Sequence, residues 1–327
     1  MDKFSLSLEP RAELMIHALE RRYLTWAGQL PVFYRKMALA ESTFTGREGA
    51  GKFQISRTLN PLNARSPWLF WDLFSKLEDE LFLDAAEAGA FNSLSTVVLD
   101  HLVDGQYSSP GMIALFQGKL FQKGQSKFRL LFPADSIFWQ DFDHYNDQYS
   151  WALGLEAETQ NHPHILPNKA FIDSATAKAS PMLITLAAFT AISNQPELQG
   201  PIEKSLGACA VAGQLHDDLL DWRADYENRH LTWFLLQLLS AEEWKSEKPI
   251  PLSELEERNF EDKRDLVVFG ETIGWFDKAK EAIRAINCQG WQRYLEEYRS
   301  IAVEHQRACA AYHLKRVLFP ALKLGSR

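Results

Sequence analysis

Two groups of aspartates in this sequence have the types and spacing to hold a divalent cation. Asp100 and Asp104 lie one helical turn apart, directly before Gly105. Their carboxylates face the same way, and the repulsion between them costs roughly 0.2–0.5 kcal/mol. Acids in a last helical turn also oppose the helix dipole, so the placement favours a bound cation. Because such a pair is more often a solvated helix end, it does not define a site by itself.

The second group is more specific. Asp217, Asp218 and Asp221 end a long apolar stretch, and the preceding LGACAVAGQL carries no charge. This pattern indicates a buried helix whose acidic end projects into a cavity. Two such ends that face each other offer the oxygen-only ligands that Mg²⁺ prefers, with substrate phosphate completing the coordination. The predicted metal ligands are Asp100, Asp104, Asp217, Asp218 and Asp221, and all but Asp218 form the predicted catalytic set.

The elements that position these acids are predicted to be helices. Apolar residues recur at three and four positions over eight stretches, and no run of alternating strand residues is found. We therefore expect an all-α protein with about eight to eleven helices in one bundle-like domain over residues 1–327, the first ~60 residues being a helical extension. The stretches are 12–40, 68–83, 85–103, 137–155, 169–192, 202–222, 231–239 and 278–318.

Composition excludes several other classes of protein. The 327 residues have a formal net charge of -8, whereas nucleic-acid binding needs clustered Lys and Arg. The longest apolar stretches, 181–192 and 231–239, are shorter than the ~20 residues of a membrane helix, and the first residues lack a signal-peptide core. Cys209, Cys288 and Cys309 form no C-x-x-C pair, which indicates neither a disulfide framework nor a zinc site. We expect a cytoplasmic protein without a transmembrane segment.

The acidic motifs resemble those of a known family. The segment Gln214-Leu-His-Asp-Asp-Leu-Leu-Asp221 is similar to the second aspartate-rich motif, Q-x-x-D-D-x-x-D, of trans-isoprenyl diphosphate synthases. Lys178, in Ala-Lys-Ala-Ser, resembles the lysine of the family's K-T element, which contacts the substrate diphosphate. Asp100 and Asp104 occupy the order and helical context of the first motif, and the similarity covers roughly residues 85–225.

The resemblance to the isoprenoid synthase superfamily carries further expectations. It implies an all-α fold around a central apolar cavity, with a prenyl diphosphate as substrate. It also implies that two or three Mg²⁺ ions, or Mn²⁺ instead, bind between the two motifs, and that Lys178 contacts the diphosphate.

Departures from the family pattern decide between two reactions. The first motif reads D-x-x-x-D rather than D-D-x-x-D, and Gly105-Gln106-Tyr107 stands where an arginine pair is expected. The amino-terminal half also lacks the G-K-x-x-R element that holds isopentenyl diphosphate in elongating enzymes. Class I terpene synthases need no second diphosphate site, although their N/D-x-x-x-S/T-x-x-x-E motif is also missing. We therefore expect a terpene synthase, which is a carbon–oxygen lyase. Such an enzyme cyclises or quenches the allylic cation and releases pyrophosphate. The alternative is an elongating prenyl diphosphate synthase.

Weaker signals add three candidate diphosphate contacts. Arg293-Tyr294 resembles the R-Y pair with which terpene cyclases contact diphosphate. Arg223 lies inside the acidic cluster, where it either balances charge or contacts the diphosphate. These three residues join Lys178 as predicted diphosphate-binding groups.

Small residues above Asp100 predict the depth of the cavity. Thr96 stands one turn above Asp100 on the same helix, and Ser93 and Asn92 stand two turns above it. In the resembling synthases, bulky residues at these positions form the floor of the pocket. Small ones therefore predict a substrate of C15 or longer, with C20 or more favoured.

Two other classes of protein stay open. The pair His216-Asp217 permits an all-helical phosphohydrolase of the HD type, which would need His101, His144 or another histidine to converge on His216. A non-catalytic helical scaffold explains the fold but not two acid clusters at helix ends. The sequence leaves open whether the chain forms a homodimer.

Overall fold

The computed structural model describes residues 10–46, 51–57, 62–63, 65–162 and 168–318. Within these residues the chain is helical and contains no strand apart from an isolated antiparallel bridge between Ala40 and Lys52. The predicted all-α class is therefore confirmed. The helices are α1 (Pro10–Gln29), α2 (Val32–Leu39), α3 (Ser42–Thr45), α4 (Ser66–Leu69), α5 (Trp71–Phe74), α6 (Asp79–Val103), α7 (Pro110–Leu131), α8 (Phe138–Asn161), α9 (Asn168–Ala177), α10 (Ser180–Ile192), α11 (Gln199–Glu227), α12 (Ala241–Lys245), α13 (Leu252–Asp262), α14 (Arg264–Ala282) and α15 (Gln289–Leu318).

Several predicted helices are broken in the structure. The stretch 12–40 divides at Pro31, which has no backbone N–H and cannot continue the ladder of α1. The stretch 169–192 divides at Lys178 and Ala179, which form a turn between α9 and α10. Lys178 therefore lies at a helix junction rather than inside a continuous helix.

One predicted helix is wrong, and several helices of the structure were not predicted. The stretch 231–239 forms no α-helix; it contains a single 3-10 turn at Leu235–Gln237. Conversely, α12, α13, most of α14 and the whole of α7 were not predicted. In α7, Ile113, Phe116, Leu120 and Phe128 bury one face of the helix. Three glycines and several polar residues dilute the apolar period of α7, so its burial depends on its partner helix rather than on a strong local signal.

The chain divides into two compact units. The first comprises Met1–Leu153, Ala177–Glu203 and Ala285–Gln292, and the second comprises Gly154–Thr176, Lys204–Arg284 and Arg293–Arg327. The single-domain organisation over residues 1–327 stays a prediction.

Helix α6 is the central element of the first unit. It is apolar or small on almost every side and buried along most of its length, as expected of a helix enclosed by others. Neighbouring helices approach it closely at two glycines. A Cβ at Gly124 of α7 would lie 3.0 Å from the backbone nitrogen of Asn92, and one at Gly89 would lie 2.3 Å from the side chain of Thr185 on α10. These contacts fix α6, whose last turn carries the first acid pair.

Helix α11 has the corresponding role in the second unit. Leu215, Leu219 and Trp222 recur at helical spacing and are buried in a core shared with Trp233 and Phe234. Because this stripe faces the core, residues at intermediate positions of the helix turn toward solvent. Asp217 and Asp221 lie at those positions, whereas Asp218 shares the buried face.

The length and apolarity of the described helices can be compared with those of a membrane span. None of them alone has the length and apolarity to cross a bilayer; α9 and α10 pass that test only when counted together as one broken span. The three cysteines are free thiols, with Cys209 and Cys288 buried and Cys309 half-buried.

Candidate functional site

The first acid pair ends α6. Asp100 lies in the last helical turn, and Asp104 caps it, with its backbone N–H donating to the Asp100 carbonyl at 3.0 Å. Gly105 follows with φ of +69°, a conformation that favours glycine and stops the helix. The Asp104 side chain is exposed and accepts a hydrogen bond from the Gln106 amide at 3.2 Å. The predicted helix end at Gly105 is confirmed.

Asp100 has a cationic and a phenolic neighbour. Its Oδ1 atom lies 3.9 Å from the Lys178 ammonium and 3.5 Å from the hydroxyl of Tyr149. The same hydroxyl donates to the Thr96 carbonyl at 3.1 Å, so Tyr149 contacts two successive turns of α6. The Asp100 and Lys178 side chains are about one-third and one-fifth exposed, which leaves both accessible. The structure thus brings together a predicted metal ligand and the predicted diphosphate contact.

The three predicted cavity residues lie on a buried face. Asn92, Ser93 and Thr96 are each less than one-tenth exposed. Thr96 donates to the Ser93 carbonyl, whereas the Asn92 amide nitrogen and the Ser93 hydroxyl have no hydrogen-bond partner among the described residues. Whether this face lines a substrate cavity stays a prediction.

The second acid set separates into exposed and buried members. Asp217 and Asp221 are exposed, one turn apart on α11. Asp218 is buried at 3% exposure, and the Gln214 amide donates to its Oδ1 at 2.8 Å. The backbone N–H of Phe234 donates to Oδ2 at 3.4 Å. Burial raises the pKa of Asp218 to about 7, although both hydrogen bonds act to lower it. Asp218 therefore joins α11 to the segment after it.

A histidine pair lies beside this set. His216 Nε2 is 2.9 Å from His305 Nδ1, and burial together with His305 lowers the pKa of His216 to about 4. His305 is thus the histidine that approaches His216, and the phosphohydrolase alternative is not tested by this contact. The described residues contain one group of three or more His, Cys, Asp or Glu ligand atoms close enough to share an ion, and it includes neither His216 nor any of the five predicted aspartates.

The remaining diphosphate candidates have different surroundings. Arg223 is about half exposed, pairs with Glu256 at 2.7 Å and lies over the Trp222 ring. Arg293 is exposed on α15, whereas the adjacent Tyr294 is buried against Tyr298. Both arginines belong to the second unit, and Lys178 belongs to the first.

Sequence reasoning missed the residues that orient the acids. Tyr149 on α8 reaches Asp100 across 49 positions of sequence, and no motif marks it. Gln214 begins the second aspartate-rich motif, and its spacing of four residues from Asp218 is the spacing at which helical side chains meet. That spacing was the one available signal.

The sequence matches no protein-family model and no curated protein. Solved structures do match. A polyprenyl synthase from Caulobacter crescentus CB15, complexed with calcium and isoprenyl diphosphate, is 17% identical with a TM-score of 0.68, covering 89% of this chain and 95% of that one. A geranylgeranyl pyrophosphate synthase from Lactobacillus brevis ATCC 367 is 15% identical with a TM-score of 0.66, covering 90% and 97%. At these identities the likeness establishes the fold.

Proposed function

This chain has the all-α isoprenoid-synthase fold seen in prenyl diphosphate synthases, and on that premise we propose that it is an Mg²⁺-dependent enzyme that ionises a prenyl diphosphate. The observation that carries the proposal is the occurrence of two acid sets, in the family's order, on helices of that fold. The Caulobacter crescentus enzyme holds calcium and isoprenyl diphosphate, which supports the use of a divalent cation.

The donor chemistry of the acids fits Mg²⁺. Asp100, Asp104, Asp217 and Asp221 offer only carboxylate oxygens, and all four are at least partly exposed. Mg²⁺ takes oxygen ligands and is usually held by one or two carboxylates together with substrate phosphates. We propose these four residues as the ligands of two or three ions, with Mn²⁺ as a substitute. When bound, the metal supplies Lewis-acid stabilisation of the pyrophosphate leaving group.

Asp218 differs from the four proposed metal ligands, and we propose a different role for it. Its carboxylate is buried and already accepts two hydrogen bonds. Direct metal binding would require breaking contacts that hold α11 to residue 234. We therefore propose that Asp218 positions Asp217 and Asp221 rather than binding the metal itself.

Lys178 and Tyr149 lie beside Asp100, and we propose a role in the reaction for each of them. The Lys178 ammonium is 3.9 Å from Asp100, a distance at which it can also contact an anion held beside that carboxylate. We propose that it binds the substrate diphosphate, while Tyr149 keeps Asp100 oriented. Arg223, Arg293 and Tyr294 remain proposed as further diphosphate contacts, and Asn92, Ser93 and Thr96 as lining for a chain of C15 or longer, C20 or more being favoured.

The reaction favoured by the comparisons is prenyl transfer. Both solved neighbours described above are prenyl diphosphate synthases, which supports the elongating alternative over the terpene synthase expected from sequence. Heterolysis of the allylic C–O bond leaves both electrons on the diphosphate oxygen. The double bond of isopentenyl diphosphate then attacks the cation, and loss of a proton restores neutrality at carbon.

Cyclisation is the second candidate, and a specific observation favours it. Where elongating enzymes of the resembling family have an arginine pair, Gln106 and Tyr107 stand here. The Gln106 amide donates a hydrogen bond to the Asp104 carboxylate, and the Tyr107 hydroxyl donates one to the Thr43 carbonyl at 2.6 Å. Neither side chain supplies the positive charge that the arginine pair carries. A lyase that needs one diphosphate is compatible with this substitution.

Product analysis separates the two candidates. Purified protein with Mg²⁺ is incubated with C10, C15, C20 and C25 prenyl diphosphates, each with and without isopentenyl diphosphate. Longer diphosphates formed only with isopentenyl diphosphate establish prenyl transfer, and hydrocarbons or alcohols formed without it establish the lyase. Absence of product and of released pyrophosphate with every substrate would contradict the proposal.

A cytoplasmic location stays a prediction, and a homodimer stays open.

A further inference from the structure

A second cluster of potential metal ligands lies in the second unit, among residues that the proposed reaction does not use. Asp265 is in the first turn of α14, and Cys309 and His313 are on α15. His313 Nε2 is 3.1 Å from each carboxylate oxygen of Asp265, and Cys309 Sγ is 3.0 Å from Oδ2. One ligand atom from each of the three residues lies within 4.8 Å of the other two.

The three side chains are held in this arrangement by their neighbours. Cys309 and His313 are four residues apart, so they share one face of α15. The Asn259 amide donates to Asp265 Oδ2 at 3.1 Å, and its carbonyl oxygen accepts the Asp265 backbone N–H at 3.0 Å. The Phe260 ring stacks on His313 with ring centroids 5.0 Å apart. Groups that orient metal ligands in this way are typical of built metal sites.

The donor set selects the class of cation. A thiolate, an imidazole nitrogen and a carboxylate oxygen form a mixed set that suits Zn²⁺, whereas Mg²⁺ and Ca²⁺ take oxygen ligands. Zinc bonds of about 2.0–2.3 Å require ligand atoms roughly 3.4–3.6 Å apart in a tetrahedron. The contacts at 3.0 and 3.1 Å would open by about half an ångström, which small side-chain rotations allow.

Burial and charge are also compatible with an ion. The His313 and Asp265 side chains are 8% and 14% exposed, and Cys309 is half-buried, so the cluster is enclosed but open to solvent on one side. Asp265 and the Cys309 thiolate together balance a doubly charged cation. Burial and Asp265 raise the pKa of the Cys309 thiol, whereas the Arg223 guanidinium acts to lower it and is itself paired with Glu256 at 2.7 Å.

We propose that Asp265, Cys309 and His313 form a zinc site that joins the α13–α14 corner to α15. Binding replaces the thiol proton, which passes to solvent, by a sulfur–zinc bond, and His313 binds as the neutral imidazole. Three protein ligands leave a fourth position for water. The site is independent of the proposed prenyl diphosphate chemistry. The sequence pattern had indicated no zinc site, because the cysteine and histidine are paired with an aspartate 44 positions away rather than with a second cysteine.

Cobalt spectroscopy tests the site directly. The full-length protein is titrated with Co²⁺ under anaerobic conditions with excess Mg²⁺, which occupies oxygen-only sites. We expect a thiolate-to-Co²⁺ charge-transfer band that saturates at one equivalent and disappears when Zn²⁺ is added. The band should be absent from Cys309→Ser and retained in Cys209→Ala, a matched control on a buried cysteine. Absence of the band from the unsubstituted protein, or its persistence in Cys309→Ser, would overturn the proposal.

Two further measurements distinguish loss of the zinc site from misfolding of the Cys309→Ser variant. Asn259→Ala leaves all three ligands in the chain but removes the side chain that is hydrogen-bonded to Asp265. It should therefore weaken Zn²⁺ binding by about 10–100-fold. Zn²⁺ should also raise the thermal unfolding midpoint of the unsubstituted protein and leave that of Cys309→Ser unchanged. An equal rise in both proteins would show that Zn²⁺ acts elsewhere and would contradict the site.

Discussion

The two acid sets carry the same residue type on helices, but the protein treats them differently. Asp100 and Asp104 end α6, where one acid contacts a lysine and a tyrosine and the other is exposed. In the second set, the helix continues past the acids to Glu227. There Asp217 is exposed, while Asp218 is buried under two hydrogen bonds. Motif spacing predicts which carboxylates bind metal, whereas burial separates the proposed ligands from the residue proposed to position them.

Removing one exposed or half-exposed carboxylate from each set should have the largest effect. Asp100→Asn and Asp217→Asn each delete a proposed Mg²⁺ ligand while keeping side-chain size. We expect turnover of prenyl diphosphate to fall at least ~10³-fold, corresponding to about 4 kcal/mol of transition-state stabilisation. Pyrophosphate release at saturating Mg²⁺ measures this. Asp225→Asn on the same helix is the control and should stay near the unsubstituted rate; retention of a tenth of the rate in either first variant would argue against the ligand assignment.

Truncating the buried acid should act on stability instead. Asp218→Ala leaves the Gln214 amide and the Phe234 N–H without their acceptor, which we expect to lower the free energy of unfolding by about 2–3 kcal/mol. Asp221→Ala removes an exposed acid and should change it by less than about 0.5 kcal/mol. Urea denaturation followed by circular dichroism measures both. Equal losses in the two variants would remove the distinction between ligand and positioning residue.

Acid pH should weaken the second unit through His216. Its folded-state pKa, lowered to about 4, lies below its ordinary value, so the unfolded chain binds the proton more readily between those values. The stability contribution is complete above about pH 7 and is lost as the pH falls toward 4, with a loss of about 2 kcal/mol by pH 5. The pH dependence of unfolding in His216→Gln should be flatter by that amount. His162→Gln, at an exposed position, serves as the control, and matching curves for His216→Gln and the unsubstituted protein would contradict the account.

The smallest effect is expected at Tyr149. Tyr149→Phe removes the hydroxyl contact to Asp100 and keeps the ring in the core. A lost hydrogen bond of about 1 kcal/mol predicts a roughly fivefold lower kcat with little change in the midpoint of thermal unfolding. A positioning role predicts further that excess Mg²⁺ partly restores the rate. If kcat is unchanged, the tyrosine contributes only packing.

Much of this architecture could be predicted from the sequence because its signals are local. The 3.6-residue period identifies α6 and α11, and Gly105 marks the end of α6. The hydrogen bond from the Phe234 backbone to Asp218 could not be predicted, because Phe234 belongs to a segment that was predicted to be helical and is not an α-helix. Helix α7 was missed because its buried face becomes evident only against α6.

The residues of the candidate site could be predicted only in part. The five aspartates and Lys178 stand out through residue type and spacing within short segments. Tyr149 and the Asp265–Cys309–His313 cluster depend on contacts between helices far apart in sequence, and neither has a local pattern. Such contacts become visible only once the chain is folded.

Metal-dependent binding of a non-ionising substrate analogue tests the central claim most directly. Isothermal titration with a prenyl thiolodiphosphate, with and without Mg²⁺, measures affinity without turnover. We predict binding only when Mg²⁺ is present, loss of binding in Asp100→Asn and in Asp217→Asn, and affinity within about threefold of the unsubstituted protein in Asp218→Asn. Equal affinity with and without Mg²⁺, or unchanged affinity in Asp100→Asn and Asp217→Asn, would contradict the assignment of the two acid sets as the metal-binding groups.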